Sequence, residues 1–142
     1  MGRKFLWKLG MIALAAAIPT AAFSGADDAF GTWRNPENGS LIKLYPCDGG
    51  LCAQIVQTSN PDAKDEKNPD PAKRDRKVQG LVIMNGAKKT GENSWKGELY
   101  NREDGKTYSG NITVLSKDQV KLEGCALLGI ICRGVTWTRV GI

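Results

Sequence analysis

From residue 30 onward, apolar and polar positions alternate in short runs, and clusters of Gly, Pro, Asn and Asp interrupt them at regular intervals. Period-two alternation between turn clusters is the pattern of half-buried β-strands in a small all-β domain. The first run, 30–34 (FGTWR), stops at Asn-Pro-Glu-Asn-Gly, and the runs 40–46 and 51–58 flank an Asp-Gly-Gly turn, which predicts a hairpin. Further runs follow at 78–84, 94–101, 107–115, 120–125 and 134–140, with predicted turns at 85–93, at Asp104-Gly105, at 116–119 and around Gly129. Within 94–101, Trp95, Gly97 and Leu99 share one face and Lys96, Glu98 and Tyr100 the other; Tyr108, Gly110, Ile112 and Val114 share a side of the next run. Eight short antiparallel strands in chain order leave two raw edges unless the sheet closes. The expected fold is therefore a small eight-stranded up-and-down barrel, with an open sandwich as the alternative.

One segment breaks the pattern. Residues 59–77 (SNPDAKDEKNPDPAKRDRK) hold three prolines, dense charge and no large apolar side chain, which predicts a long charged loop or partly disordered flap that buries nothing. Its acids Asp62, Asp65, Asp70 and Asp75 stand among Lys64, Lys67, Lys73 and Lys77 and read as a solvated mixed-charge surface. Arg74 and Arg76, two residues apart where the chain re-enters a strand, point to one side. They could clamp a carboxylate or phosphate, or pair with the neighbouring aspartates.

Residues 1–26 carry Arg3, Lys4 and Lys8, then an apolar run to Ile18, then small residues up to Ala26. That order is the order of a secretory signal peptide, and the run is too short to span a bilayer comfortably. No cysteine sits at the expected cut, which argues against a lipoprotein. Cleavage after Ala26 leaves a single domain at 27–142, and the formal net charge falls from +5 to near +2. The basic balance thus belongs mostly to the leader, and no Lys/Arg face interleaved with aromatics suggests nucleic acid. A periplasmic or secreted protein with no membrane span after cleavage is expected.

The domain holds four cysteines, Cys47, Cys52, Cys125 and Cys132. Behind an export signal an even number predicts disulfides, and of the three pairings the local one is favoured because CDGGLC and CALLGIIC each bracket a turn. Each short loop closed this way is worth about 2 kcal/mol in the chain-entropy model. A four-cysteine zinc site competes, but metal knuckles use tighter Cys-x2-Cys spacing. No metal and no cofactor is expected.

Gly31-Thr32-Trp33 lies on the first run and Arg139 on the last, and closure of a barrel would make those strands neighbours. A guanidinium over the indole, with its donors on backbone carbonyls, would tie the ends together, so Trp33 and Arg139 are assigned to structure. This pairing resembles the signature of lipocalins and the wider calycin group. The segments GTW, NPDPAKRDRKVQGL, WKGELYNREDGKTYSG, VKLEGC and CRGVTWTRV, in that order, are similar to the bacterial Domain of Unknown Function 2147 family over nearly all of 30–140. The resemblance implies an exported, lipocalin-like barrel and no established activity or catalytic residue.

The chain contains no histidine, which removes Ser-His-Asp triads, Cys-His dyads and His-ligated zinc or haem. Carboxylate pairs such as Glu98 and Glu103 remain for an enzyme, a reading that needs two acids converging with a perturbed pKa. The Asp104-Gly-Lys-Thr segment lacks the upstream glycine of a phosphate loop, since Tyr100 stands there. The leading expectation is a non-catalytic binder of a small apolar or amphiphilic ligand at a mouth covered by 59–77. Arg74 and Arg76 would meet the polar head and Trp95 or Tyr100 the apolar tail. The alternative is a cell-envelope interaction or stress-response module with a filled barrel, and the short strands lean toward a filled or shallow interior.

Overall fold

Eight antiparallel strands follow one another around a closed barrel, each bonded to its neighbour in sequence and the last to the first. They are β1 (Gly31–Arg34), β2 (Leu41–Cys47), β3 (Gly50–Gln57), β4 (Val82–Lys89), β5 (Ser94–Asn101), β6 (Lys106–Ser116), β7 (Gln119–Ala126) and β8 (Ile131–Gly141). This computed structural model describes residues 24–141 and, before them, Gly10, Ile12, Ala13 and Ala15; the expected leader otherwise lies outside the described residues. The chain packs from Ala26 onward, one residue ahead of the expected domain boundary: Ala26 is buried and its amide donates to Glu92 O at 2.8 Å.

Strand direction sorts the loops onto two ends. The turns after β2, β4 and β6 and a 3-10 turn at Ala26–Ala29 lie at one end, while those after β1, β3, β5 and β7 lie at the other. The N-terminal turn plugs the first end. Trp33 Nε1 donates to Ala29 O and Trp95 Nε1 to Ala26 O, both at 2.8 Å, and the Phe30 ring packs on Trp95 with centroids 5.6 Å apart. Arg139 completes the plug. Its guanidinium lies 4.2 Å from the Trp33 ring centroid and donates to Phe30 O at 2.8 Å, and to the carbonyls of Asp28 and Lys117. Trp33 and Arg139 are partners in the β1–β8 register. Gly31 makes the approach possible, since it sits at φ 137° and a Cβ there would collide with Arg139 Nη1 and the Gly141 carbonyl.

Both disulfides are the local ones. Cys47–Cys52 ties the β2–β3 hairpin at the plugged end, and Cys125–Cys132 joins directly opposed residues of β7 and β8 near the other end. The predicted faces of β5 and β6 hold: Trp95 and Leu99, and Gly110, Ile112 and Val114, are buried.

Two expectations need correction. The run at 78–84 was expected to be a strand and 85–93 a turn, but β4 begins at Val82 and continues through Asn85-Gly86 to Lys89. An Asn-Gly pair normally reads as a hairpin turn; here Gly86 at φ 74° serves a register irregularity against β3, and the turn comes after Lys89. The flap is also neither disordered nor empty of buried groups. It is a folded strap, with a 3-10 turn at Pro71–Lys73, an antiparallel bridge between Lys64 and Lys77, and Asp65 and Asn68 buried beneath it.

The strap lies at the unplugged end. β4 and β5 are paired at Lys88↔Lys96 and Lys89↔Trp95, next to the plug, and Gly97 allows the close approach of Ala87 beyond them. Replacing Arg139 by Ala should leave three backbone carbonyls short of donors and cost about 2–4 kcal/mol of unfolding free energy. Urea denaturation should show Gly31→Ala destabilised as well, because the new methyl displaces the same guanidinium, while Arg139→Lys, with no planar fork, recovers only part of the loss.

Candidate functional site

The unplugged end leads into a cavity of about 320 Å³. Its walls are the inward side chains of the strands' far halves, Ile42, Ile55, Ile83, Leu99, Leu122 and Val135, and Trp137 stands deepest on β8. The rim is polar and charged. Glu37 follows β1, Arg102, Glu103 and Asp104 follow β5, and Arg133 on β8 reaches Glu37 at 3.6 Å. Tyr108, also on the rim, donates its hydroxyl to Asp104 Oδ2. That bond raises the Tyr108 pKa above its usual 10.0. Burial pushes the Asp104 carboxyl up, but the bonds from Tyr108 and the Lys106 amide outweigh it and hold it below 3.8.

Trp137 differs from the other two inward tryptophans. Trp33 and Trp95 spend their indole donors on the plug, whereas Trp137 Nε1 is buried and finds no hydrogen-bond partner among the described residues. A buried donor left unpaired costs about 1–3 kcal/mol, so such a group calls for a partner. That its donor has nothing to bond depends on which carbonyls lie nearby in the fold, and alternation along β8 does not carry that.

The four residues expected to meet a ligand do not converge. Trp95 is at the plugged end, with its donor committed to Ala26, so it cannot line the cavity mouth. Tyr100 lines the cavity but directs its hydroxyl outward to the strap, donating to Asp65 Oδ1 at 2.6 Å. Arg76 reaches Asp65 Oδ2 through Nε and Nη2, both at 2.9 Å, and lies 6.0 Å from the Tyr100 ring centroid. Arg74 donates through Nε to Asn68 O at 2.8 Å. Of the two readings of this arginine pair, the internal one describes the geometry: Arg76 takes an aspartate and Arg74 a carbonyl, and among the described residues the cavity lining includes neither. Sequence reasoning passed over the rim arginines Arg102 and Arg133, whose only signal was adjacency to predicted turns.

Asp65 is the hub of the strap. Its side chain is fully buried and receives bonds from Tyr100, Arg76 and, at 2.9 Å, Asn68 Nδ2. Burial alone would raise its pKa, but those bonds and the guanidinium charge outweigh it and hold the carboxyl below 3.8. Burial, followed by the bond to Asp65 and its negative charge, pushes Tyr100 from 10.0 up to about 12. Gly105 lets the β5–β6 loop come close beneath, since a Cβ there would strike Lys67 O. The solvated-surface reading therefore fails for Asp65, whose partners lie on the strap and on a strand 35 residues away.

Comparison with known proteins agrees with this architecture. Residues 31–139 match the model of a family described as uncharacterized protein conserved in bacteria, DUF2147. The chain belongs to this family. Among solved structures, the DUF2147 chain described here is similar to protein HP1028 from Helicobacter pylori, described as belonging to the lipocalin family. The two share 26% identity and a TM-score of 0.73 over 79% of this chain and 82% of that one. No curated protein is significantly similar. The lipocalin-like barrel of this DUF2147 protein is thus shared with a solved neighbour, and the arrangement of its cavity follows from its own side chains.

Removing the Asp65 carboxylate, as in Asp65→Ala, leaves Arg76 and Tyr100 without their shared acceptor and should cost about 3 kcal/mol in urea denaturation. The Asp65 pKa is lowered on folding, so its contribution is present above the unfolded value and is lost as pH falls through the folded one. The stability gap between wild type and Asp65→Asn should therefore stay constant from neutral pH down to about pH 4 and shrink only below it.

Proposed function

We propose that this protein is a non-catalytic carrier or sensor of one small amphiphilic molecule in the bacterial envelope, held in the barrel cavity with an acceptor atom on Trp137 Nε1. The observation that carries the reading is an aliphatic-walled cavity of about 320 Å³ lined in part by Trp137, whose buried donor has no partner among the described residues. Ligand clefts span about 300–1,000 Å³ and combine apolar walls with a few placed polar groups, and this cavity lies at the small end of that range. An apolar body would lie against Ile42, Ile55, Leu99 and Leu122, while a polar end remaining at the rim would meet Arg102 and Arg133. These arginines take the part that the sequence pattern gave to Arg74 and Arg76.

Two features support a role without catalysis. General acid chemistry near neutral pH needs a carboxyl raised toward that range, yet the two carboxyls with shifted values, Asp65 and Asp104, are both lowered. The chain also lacks histidine. Envelope localisation is supported by two disulfides in one small domain, which persist in oxidising compartments. The filled-barrel alternative is disfavoured by the cavity.

Anilinonaphthalenesulfonate, an anionic amphiphile, should bind with one-to-one saturation and be displaced by medium-chain fatty acids. Ile55→Trp, which takes up part of the cavity, should weaken the signal, and Trp137→Phe should weaken binding of an acceptor-bearing ligand about tenfold. Thermal melts should show both variants folded. Unsaturable dye binding, together with no ligand retained from envelope extract in native mass spectrometry, would refute the proposal.

A further inference from the structure

The β7–β8 hairpin ends in a sequence unlike any other loop of this protein. Leu127 is 66% exposed, Leu128 104%, Ile130 81% and Ile131 59%, whereas the other exposed large aliphatics of the barrel, Val82, Leu115 and Val140, stand singly on separate strands. Four aliphatics in five consecutive residues form a contiguous apolar projection, and such a feature on a monomer marks an interaction site.

The backbone argues that the side chains matter here. The loop 127–130 follows the last β7–β8 pair, Ala126↔Ile131, and is closed by bonds from Gly129 N to Ala126 O and from Ile130 N to Leu127 O, both at 3.2 Å, with Leu127 at φ 51°, Leu128 at φ 58° and Gly129 at φ 86°. All three lie in the left-handed region, which suits Gly and Asn and where a bulky apolar side chain is costly. Leucines at the two positions least suited to them indicate a demand unrelated to making the turn. Cys125–Cys132 fixes the base of the projection, so little ordering is left for a docking event to supply.

We infer that this tip is a membrane-docking wedge that inserts into the interfacial region of an anionic bilayer and sets the cavity mouth against the lipid. A convex projection of this kind suits a deformable apolar phase, because a protein partner would have to provide a matching pocket. On one flank the charge is complementary to lipid phosphate: the groove beside Leu127 and Leu128 is lined by Lys96 and Lys106 and, among the described residues, by no carboxylate, while the rim on the other side mixes Glu37, Glu103 and Asp104 with Arg102 and Arg133. The projection is also continuous with the cavity. Ala126 and Ile131, at the foot of the tip, line the cavity wall, so an apolar surface runs from the wedge into the barrel. Apolar insertion plus basic residues at the headgroup level is the combination that holds peripheral proteins on anionic membranes.

Vesicle flotation of the full-length mature protein tests the assignment. Wild type should float with phosphatidylglycerol/phosphatidylethanolamine vesicles and much less with phosphatidylcholine alone. Leu127→Asn/Leu128→Gly should lower partitioning by at least about tenfold, since it removes two inserting side chains. Its melting temperature should equal or exceed that of wild type, because the new residues suit the turn, so misfolding cannot explain the loss. Lys96→Glu/Lys106→Glu should remove the preference for anionic lipid. Docking does not depend on a filled cavity: Ile55→Trp should float like wild type even though it takes up less amphiphile. Wild type that ignores both vesicle types, or a leucine variant that floats as well as wild type, overturns the inference. So does a tip-dependent dimer in light scattering without vesicle association.

Discussion

The barrel depends on the contact between Arg139 and the first strand. An eight-stranded sheet closes only if β1 and β8 meet, and β1 is the shortest strand, with four residues to offer the ladder. The guanidinium adds what the short ladder lacks. It stacks on Trp33 and binds carbonyls from the N-terminal turn and from the β6–β7 turn, so residues 28–33 and Lys117, both far from Arg139 in sequence, share one cation. Because the guanidinium fork is planar and its donors point in fixed directions, the clasp is specific in direction.

With one end closed in this way, the interior divides along its length. Near the plug, Trp33 and Trp95 fill the space and their donors are consumed by Ala29 and Ala26. Farther out the inward residues are aliphatic and leave the cavity, with Trp137 at the boundary between packed and open halves. At the open end the strap folds around a buried aspartate instead of an apolar core. A segment with no large apolar side chain becomes ordered by satisfying one carboxylate completely, since a buried charge is tolerated only when hydrogen-bonded from several sides.

The sequence was legible wherever local chemistry decides the outcome. Alternation gave strand faces, the short Cys-to-Cys loops gave the disulfides, and the Gly-x-Trp and terminal Arg gave closure. It was less legible where position along the barrel axis matters: alternation places Trp95 and Leu99 on the same inner face, but only the fold puts the first in the plug and the second in the cavity wall. Asn85-Gly86 misled because a bulge and a hairpin turn ask the same freedom of glycine. Asp65 looked solvated because its acceptor role is fulfilled by Tyr100 and Arg76, and nothing local distinguishes it from Asp62 or Asp70. The apolar tip, by contrast, is plain in the sequence as the Leu-Leu-Gly-Ile-Ile run between Cys125 and Cys132, and its meaning comes from the exposure of those residues.

The seam between β4 and β5 has a mechanical consequence. Its ladder has two register pairs, both next to the plug, and toward the mouth the Tyr100–Asp65 bond ties β5 to the strap that leads into β4. A bond between two side chains thus stands where main-chain pairs are fewest, and the strap works as a buckle on the open end while the stacked indole and cation hold the base.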